Sequence, residues 1–211
     1  IGSATAPVNI AFDLKADMKI TANEGCEIYI QSTAGQTVKI SAAGVYFEVD
    51  GATVTLDGNA DGNTVLNTNA SDVSGVFKVC NGGILNVTHT KGASTLAVAN
   101  THETYVVVDN AILNIDGANA FQVPLFVLNK ADVNVNASEV ATPVGGYVDA
   151  TDSTIDITNS TTFSMLLFSA DLTNSKITAD KTILFYGNGV ADSKYTGYAV
   201  NTIILDATSS I

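Results

Sequence analysis

The densest run of oxygen-bearing side chains is Asp57-Gly58-Asn59-Ala60-Asp61-Gly62-Asn63. Asp, Asn and Asp at alternating positions, with Gly sixth, is the order in which calcium loops turn hard oxygen ligands onto one cation. Asn63 is the next oxygen donor. The twelfth position is Thr68 where such a loop needs a bidentate carboxylate, and no helical pattern follows. Two readings therefore stand side by side: a calcium site on Asp57, Asn59, Asp61 and Asn63, or a wide turn in which Asp, Asn and Gly supply left-handed backbone. Proton-transfer groups gather in one place only, where His89 and His102 share a loop-rich segment with Glu103. Exposed loop histidines are the plainer account of them. Cys26 and Cys80 sit beside apolar strand residues and read as buried free thiols, too few for a disulfide scaffold.

The whole-chain balance narrows the chemistry. With 211 residues and 46% hydrophobic content there is apolar surface for one continuous core, so residues 1–211 are expected to form a single domain. A net charge of −12 opposes binding to nucleic acid. All nine basic residues are lysines, so no guanidinium fork is available to hold phosphate or carboxylate in two-point fashion. No run reaches the ~18 apolar residues of a membrane helix, so membrane insertion is not expected. The chain opens with Ile1-Gly2, not Met, and is expected to be a piece of something longer.

The elements that must position these groups are strands. Helical periodicity is nearly absent, and short alternating segments rich in Val, Ile, Leu and Thr recur throughout. A motif recurs with them: a turn former, a small residue, any residue, then apolar-x-apolar. It reads Gly51-Ala52-Thr53-Val54-Thr55-Leu56, Gly82-Gly83-Ile84-Leu85-Asn86-Val87, Asn110-Ala111-Ile112-Leu113-Asn114-Ile115, Lys130-Ala131-Asp132-Val133-Asn134-Val135, Asp152-Ser153-Thr154-Ile155-Asp156-Ile157 and Asn174-Ser175-Lys176-Ile177-Thr178. Earlier copies are expected at Lys15-Ala16-Asp17-Met18-Lys19-Ile20 and, degenerate, at Gln36-Thr37-Val38-Lys39-Ile40; a weaker last copy is expected at Asp192-Ser193-Lys194-Tyr195. Anchors at 54, 85, 113, 133, 155, 177 and 195 are 31, 28, 20, 22, 22 and 18 residues apart. That spacing, in short strands and tight turns, predicts a solenoid whose coils stack at roughly 4.8 Å, too close for a large side chain at the turn. A second strand precedes each turn, with inward pairs at Phe47 and Val49, Val106 and Val108, Phe126 and Leu128, and Val148 and Ala150. The copy carrying Phe77 and Val79 is one residue out of step, which Gly82-Gly83 can absorb as a bulge.

The phrases Val79-Cys80-Asn81-Gly82-Gly83-Ile84-Leu85-Asn86-Val87 and Val108-Asp109-Asn110-Ala111-Ile112-Leu113-Asn114-Ile115 resemble the pectin-lyase-like right-handed parallel β-helices, a group of polysaccharide lyases and hydrolases, phage tailspikes and adhesin stalks. The resemblance implies an all-β fold, a parallel β-helix of about nine coils; a β-sandwich with Greek-key connections is the alternative. It also implies where family chemistry would sit. Lyases of the group use calcium-binding aspartates with an Arg or Lys base, hydrolases use clustered aspartates, and esterases use paired aspartates with Arg. Arg is absent here, and so are the hydrolases' Asn-Thr-Asp, Asp-Asp and Gly-His-Gly motifs. A shared fold says little about function.

Three surfaces carry the remaining expectations. Long spacings put insertions at residues 57–75 and 88–104, side by side, where a ligand site would be sought first. The central residues Thr55, Asn86, Asn114, Asn134, Asp156 and Thr178 should face outward as one column, either a self-satisfied ladder or a surface for sugar, ice or mineral. Strands apolar at both parities predict outward apolar positions at Tyr105, Val107, Leu125, Val127, Met165 and Leu167, a partner interface for self-association or for other parts of a larger protein. Together these features lead us to expect a non-catalytic, extracellular or cell-surface structural or adhesive module, with glycans as possible ligands. A carbohydrate-active enzyme or carbohydrate-binding domain is the alternative.

Overall fold

The computed structural model describes residues 2–3, 6–7, 12–14, 18–21, 27–31, 38–40, 46–57, 66–68, 76–88, 96–98, 105–116, 121–136, 144–160, 164–185 and 202–211. These residues form strands and turns and no helix. A short antiparallel pair, β1 (Gly2–Ser3) and β2 (Ala6–Pro7), opens the chain. Two parallel sheets follow. One is seven-stranded: β5 (Glu27–Gln31), β8 (Thr53–Asp57), β11 (Ile84–Thr88), β14 (Ile112–Asp116), β16 (Asp132–Asn136), β18 (Thr154–Thr158) and β20 (Lys176–Ala179). The other begins with two rows, β3 (Phe12–Leu14), β6 (Val38–Ile40), β9 (Leu66–Thr68), β12 (Leu96–Val98) and β4 (Met18–Thr21), β7 (Tyr46–Asp50), β10 (Val76–Cys80), β13 (Tyr105–Asp109). The rows merge in the long β15 (Phe121–Asn129), which pairs β12 at Gln122 and β13 from Leu125 to Asn129. They continue through β17 (Val144–Thr151) and β19 (Met165–Thr173), then part again into β21 (Ile183–Phe185) and β22 (Ile203–Leu205).

From β3 to β12 each strand pairs with the third one after it, in the parallel sense. That order is compatible with a β-helix-like fold. A Greek-key sandwich needs antiparallel neighbours, whereas among the described pairings only β1 with β2 is antiparallel.

The core follows from period-2 alternation. Val54, Leu85, Leu113, Val133, Ile155 and Ile177 align across the seven-stranded sheet and are buried. Phe47, Val49, Val79, Val106, Val108, Leu128, Val148 and Ala150 are buried with them from the other sheet. Between the two sheets the chain turns on one left-handed residue, with φ of 66° at Gly51, 50° at Asn110, 48° at Lys130, 50° at Asp152 and 47° at Asn174. The next residue is small and buried: Ala52, Gly83, Ala111, Ala131, Ser153 and Ser175. A Cβ on Gly83 would lie 2.9 Å from the Cys80 carbonyl oxygen and 3.0 Å from that of Val49, so here even a methyl is too large. The out-of-step copy is resolved at its turn. Cys80 pairs with both Asp50 and Asp109, and Asn81 and Gly82, both at positive φ, hold the extra residue.

Several expectations need correction. Met165 and Leu167 are not outward; both are fully buried in the core. Gly146 pairs Leu167 but Tyr147 pairs Ser169, so Phe168 is skipped, and this bulge reverses parity partway along β19. Of the other expected interface residues, Val107 and Val127 are half-buried, and the side chains of Tyr105 and Leu125 lie outside the described residues. Met18–Thr21 and Val38–Ile40 do not belong to the seven-stranded sheet; they pair with β7 and with β3 and β9, and the early member of that sheet is Glu27–Gln31. The turn that stacks on Ser175 is built from Asp206 to Ile211, where Ser210 bridges Lys176. The expected copy at 192–195 lies outside the described residues.

Candidate functional site

The outer face of the seven-stranded sheet carries columns of polar side chains. Thr55, Asn86, Asn114, Asn134, Asp156 and Thr178 do align in one column. Asn134 Nδ2 donates to Asn114 Oδ1 at 2.9 Å, Asn114 Nδ2 to Asn86 Oδ1 at 2.8 Å, and Asn86 Nδ2 to Thr55 Oγ1 at 3.4 Å. Parallel in-register pairing dictates this, because identical amides one coil apart present donor to acceptor. A neighbouring column repeats the device: Asn136 Nδ2 donates to Asp116 Oδ1 at 2.7 Å and Asn159 Nδ2 to Asn136 Oδ1 at 2.9 Å. On the other flank Thr154 Oγ1 donates to Asp132 Oδ1 at 2.8 Å. Asn86, Asn114 and Asn136, each donating once and accepting once, keep one N–H and one lone pair for solvent or a ligand. Asn114, Asp116, Asn134, Asn136, Asp156 and Thr158 line a shallow, open depression of about 260 Å³ here.

A third ladder runs along the turns between the sheets. Asn81 donates to Asp50 at 2.8 Å, Asn129 to Asp109 at 2.8 Å and Asn174 to Asp152 at 2.7 Å. Beside it, on the outward parity of β7 and β10, Lys78 Nζ lies 3.0 Å from Glu48 Oε1, and the Cys80 thiol donates to the same oxygen at 3.6 Å. The hydrogen bond to Glu48 raises the Lys78 pKa. Burial raises that of Cys80, against the pull of Lys78, so the thiol is held protonated. A protonated, enclosed sulfur is inert as a nucleophile, and the trio serves to cover a buried carboxylate.

Asp57 ends β8 and accepts a hydrogen bond from the Tyr29 hydroxyl. Asn59, Asp61 and Asn63, the rest of the candidate calcium set, lie outside the described residues, as do His89, His102, Glu103 and Cys26. Among the described residues no three His, Cys, Asp or Glu side chains converge as a metal site would require. Two features escaped the sequence reading. The serine column Ser153, Ser175, Ser209 carries backbone N–H groups of adjacent coils, with Ala131 N donating to Ser153 Oγ, Ser153 N to Ser175 Oγ and Ser175 N to Ser209 Oγ, each at 3.0 Å. Its signal was legible as Ser153-Thr154-Ile155, Ser175-Lys176-Ile177 and Ser209-Ser210-Ile211. The second is Asp206, which takes hydrogen bonds from the Ser209 hydroxyl, the Asn174 N–H and Thr208, and these hold its carboxyl far below the usual range. No protein-family model, curated protein or solved structure matches the chain.

Proposed function

We propose that the chain is a right-handed parallel β-helix of the pectin-lyase-like kind, acting as a non-catalytic structural or adhesive module of an extracellular surface protein or assembly. A right-handed sense follows from the strong bias of parallel crossovers. The observation that carries the functional reading is how the outward polar groups are spent. Most of the described Asn side chains of the three ladders bond to an Asn or Asp one coil away. Such ladders stiffen the stack and, among the described residues, engage these side chains with one another; an acid–base pair or an activated nucleophile would need a different arrangement. The acidic balance suits a solvated extracellular surface.

The open depression favours one second reading, a carbohydrate-binding surface in which Asn134, Asp116 and Asp156 meet sugar hydroxyls with their remaining donors and acceptors. The test is incubation with polyuronates and neutral glycans, with and without calcium, followed by product analysis and binding measurements. The non-catalytic reading expects no products, and saturable binding without products favours an adhesive or carbohydrate-binding surface. Turnover lost on Asp57→Ala or Asp156→Ala would overturn it. The calcium reading of residues 57–63 is checked in the same series, because a cation bound only by the native state raises the melting temperature by mass action. Equal melting curves in calcium and in chelator assign that segment to a turn.

A further inference from the structure

The turn after β10 holds an extra residue, and with it a reactive pair. Cys80 pairs with both Asp50 and Asp109, and the chain then turns on two left-handed residues, Asn81 at φ 54° and Gly82 at φ 77°. The turns at Gly51, Asn110, Lys130, Asp152 and Asn174 use one such residue each. Left-handed backbone is unfavourable for residues with a Cβ, so a turn that needs two in succession takes Gly for one and Asn for the other. The outcome is an Asn-Gly dipeptide, the sequence in which an asparagine side chain cyclises most readily, because no Cβ shields the nitrogen that follows. The Gly82 nitrogen gives up its proton and attacks Asn81 Cγ, the bond from Cγ to Nδ2 breaks, and the amide nitrogen leaves as ammonia. Water then opens the five-membered imide at either carbonyl. The product at position 81 is an aspartate, or an isoaspartate whose main chain runs through the side chain.

The surroundings leave room for this reaction. Asn81 and Gly82 are both exposed, and a Cβ built on Gly82 would meet nothing within 4 Å. What opposes it is the stack. Toward the preceding coil, Asn81 Nδ2 donates to Asp50 Oδ1 at 2.8 Å, and the Cys80 carbonyl accepts from Gly51 N at 3.1 Å. Toward the following coil, Gly82 N donates to Asn110 O at 2.7 Å. Within the turn, Gly83 N donates to Cys80 O at 2.9 Å. Both reacting groups are therefore engaged: the attacking nitrogen aims its proton at one coil, and the leaving amide is tied to the other. For the side chain to swing onto its own backbone, the bonds to Asp50 and to Asn110 must both open. The rate is then the chemical rate multiplied by the fraction of time the turn is open.

We propose that Asn81-Gly82 is a self-modification site held closed by the coils on either side, so that conversion of Asn81 records opening of this turn. Conversion runs one way. The new carboxylate faces Asp50 where the amide had donated, which sets two like charges together and removes a rung of the turn ladder. An isoaspartate also lengthens the main chain next to Gly83, where even a methyl group is too large.

The experiment is peptide mapping of the 211-residue chain held at mildly alkaline pH, folded and in urea, with conversion read as the mass gain from amide to acid at Asn81. Asn188-Gly189, the other Asn-Gly of the sequence, calibrates the rate in urea. Folded, Asn81 should convert at least about tenfold more slowly than in urea, corresponding to a turn open a tenth of the time or less. Asp50→Ala frees the amide and should raise the folded rate several-fold, whereas Asp50→Asn keeps an acceptor oxygen and should lie nearer the parent. Ser153→Ala, three turns further along the stack, weakens the fold without touching this turn and should leave the rate within about twofold. Equal folded and unfolded rates at Asn81 overturn the proposal. A fall in rate with Asp50→Ala does so too, because it would make that carboxylate a promoting base, and an equal rise with Ser153→Ala would trace conversion to global unfolding. Asn81→Asp makes the product directly. It should melt below the parent at neutral pH, and the deficit should shrink as pH falls into the ordinary carboxyl range, where one proton shared with Asp50 restores the rung. A variant as stable as the parent at neutral pH would refute the one-way step.

Discussion

Replacing Ser153 by Ala isolates one link of the serine column. The side chain is 3% exposed, and a methyl already occupies the same slot at Ala131 and Ala111, so packing is preserved. Three things change. The Ala131 N–H loses its acceptor at 3.0 Å and is left buried. The Ser153 hydroxyl no longer donates to the Thr151 carbonyl at 2.7 Å, but that oxygen still accepts from Lys130 N at 3.0 Å, so it is not orphaned. The Ser153 N–H keeps its bond to Ser175 Oγ. The loss is therefore one stranded buried donor, which costs about 1–3 kcal/mol. At roughly 2–4 °C per kcal/mol for a chain of this size, a central 2 kcal/mol lowers the melting temperature by about 4–8 °C. Urea titration and thermal circular dichroism measure it, with Thr178→Ala, on the exposed parity of β20, as a control expected within about 0.5 kcal/mol of the parent. A Ser153→Ala protein as stable as that control would show that the serine oxygens merely fill space.

Four further outcomes are expected. Leu113→Ala empties a fully buried site in the middle of the apolar column and should cost about 3–4 kcal/mol by denaturant titration, within the usual large-to-small range. Gly83→Ala drives a methyl against two backbone carbonyls at 2.9 and 3.0 Å, neither able to swing aside, and should destabilise by about 1–3 kcal/mol in the same assay. Burial, and then the neighbouring Asp171 charge, raise the Asp149 pKa, so its folded form binds a proton more readily than its unfolded form. Folding at neutral pH therefore carries that charge at a cost, and Asp149→Asn should melt higher than the parent at pH 7, with the advantage vanishing below about pH 4. Asp206 is depressed, so its contribution is present above the ordinary carboxyl range and is lost as pH falls through and below it; Asp206→Asn should remove part of the acid-side slope in a series of melting curves.

What could be read from the residues alone was whatever depends on period and on local backbone geometry. Alternation placed Val54, Leu85, Leu113, Val133, Ile155 and Ile177 inward, and it set Asn86, Asn114 and Asn134 in an outward column, because parallel in-register pairing carries one-dimensional order straight into three dimensions. The turn was legible for the same reason, since Gly, Asn and Asp accept a left-handed φ and a 4.8 Å stack tolerates only small neighbours. What the tertiary structure decided was everything that depends on which strand lies beside which. Phe168 drops out of the ladder because Tyr147 pairs with Ser169, and that single bulge sends Met165 and Leu167 into the core although their sequence reads as apolar on both sides. The row from β3 to β12 was missed because its three-residue strands are too short to show a period. Met18-Lys19-Ile20 has the same pattern as a member of the seven-stranded sheet, yet pairs with β7, because apolar-x-apolar says which side of a strand is inward and nothing about its neighbour. The turn at Ser209 and Ser210 was decided in the same way: the Ser175 N–H and carbonyl and the Ile177 N–H take that segment as their partner, and no period in the sequence announces it.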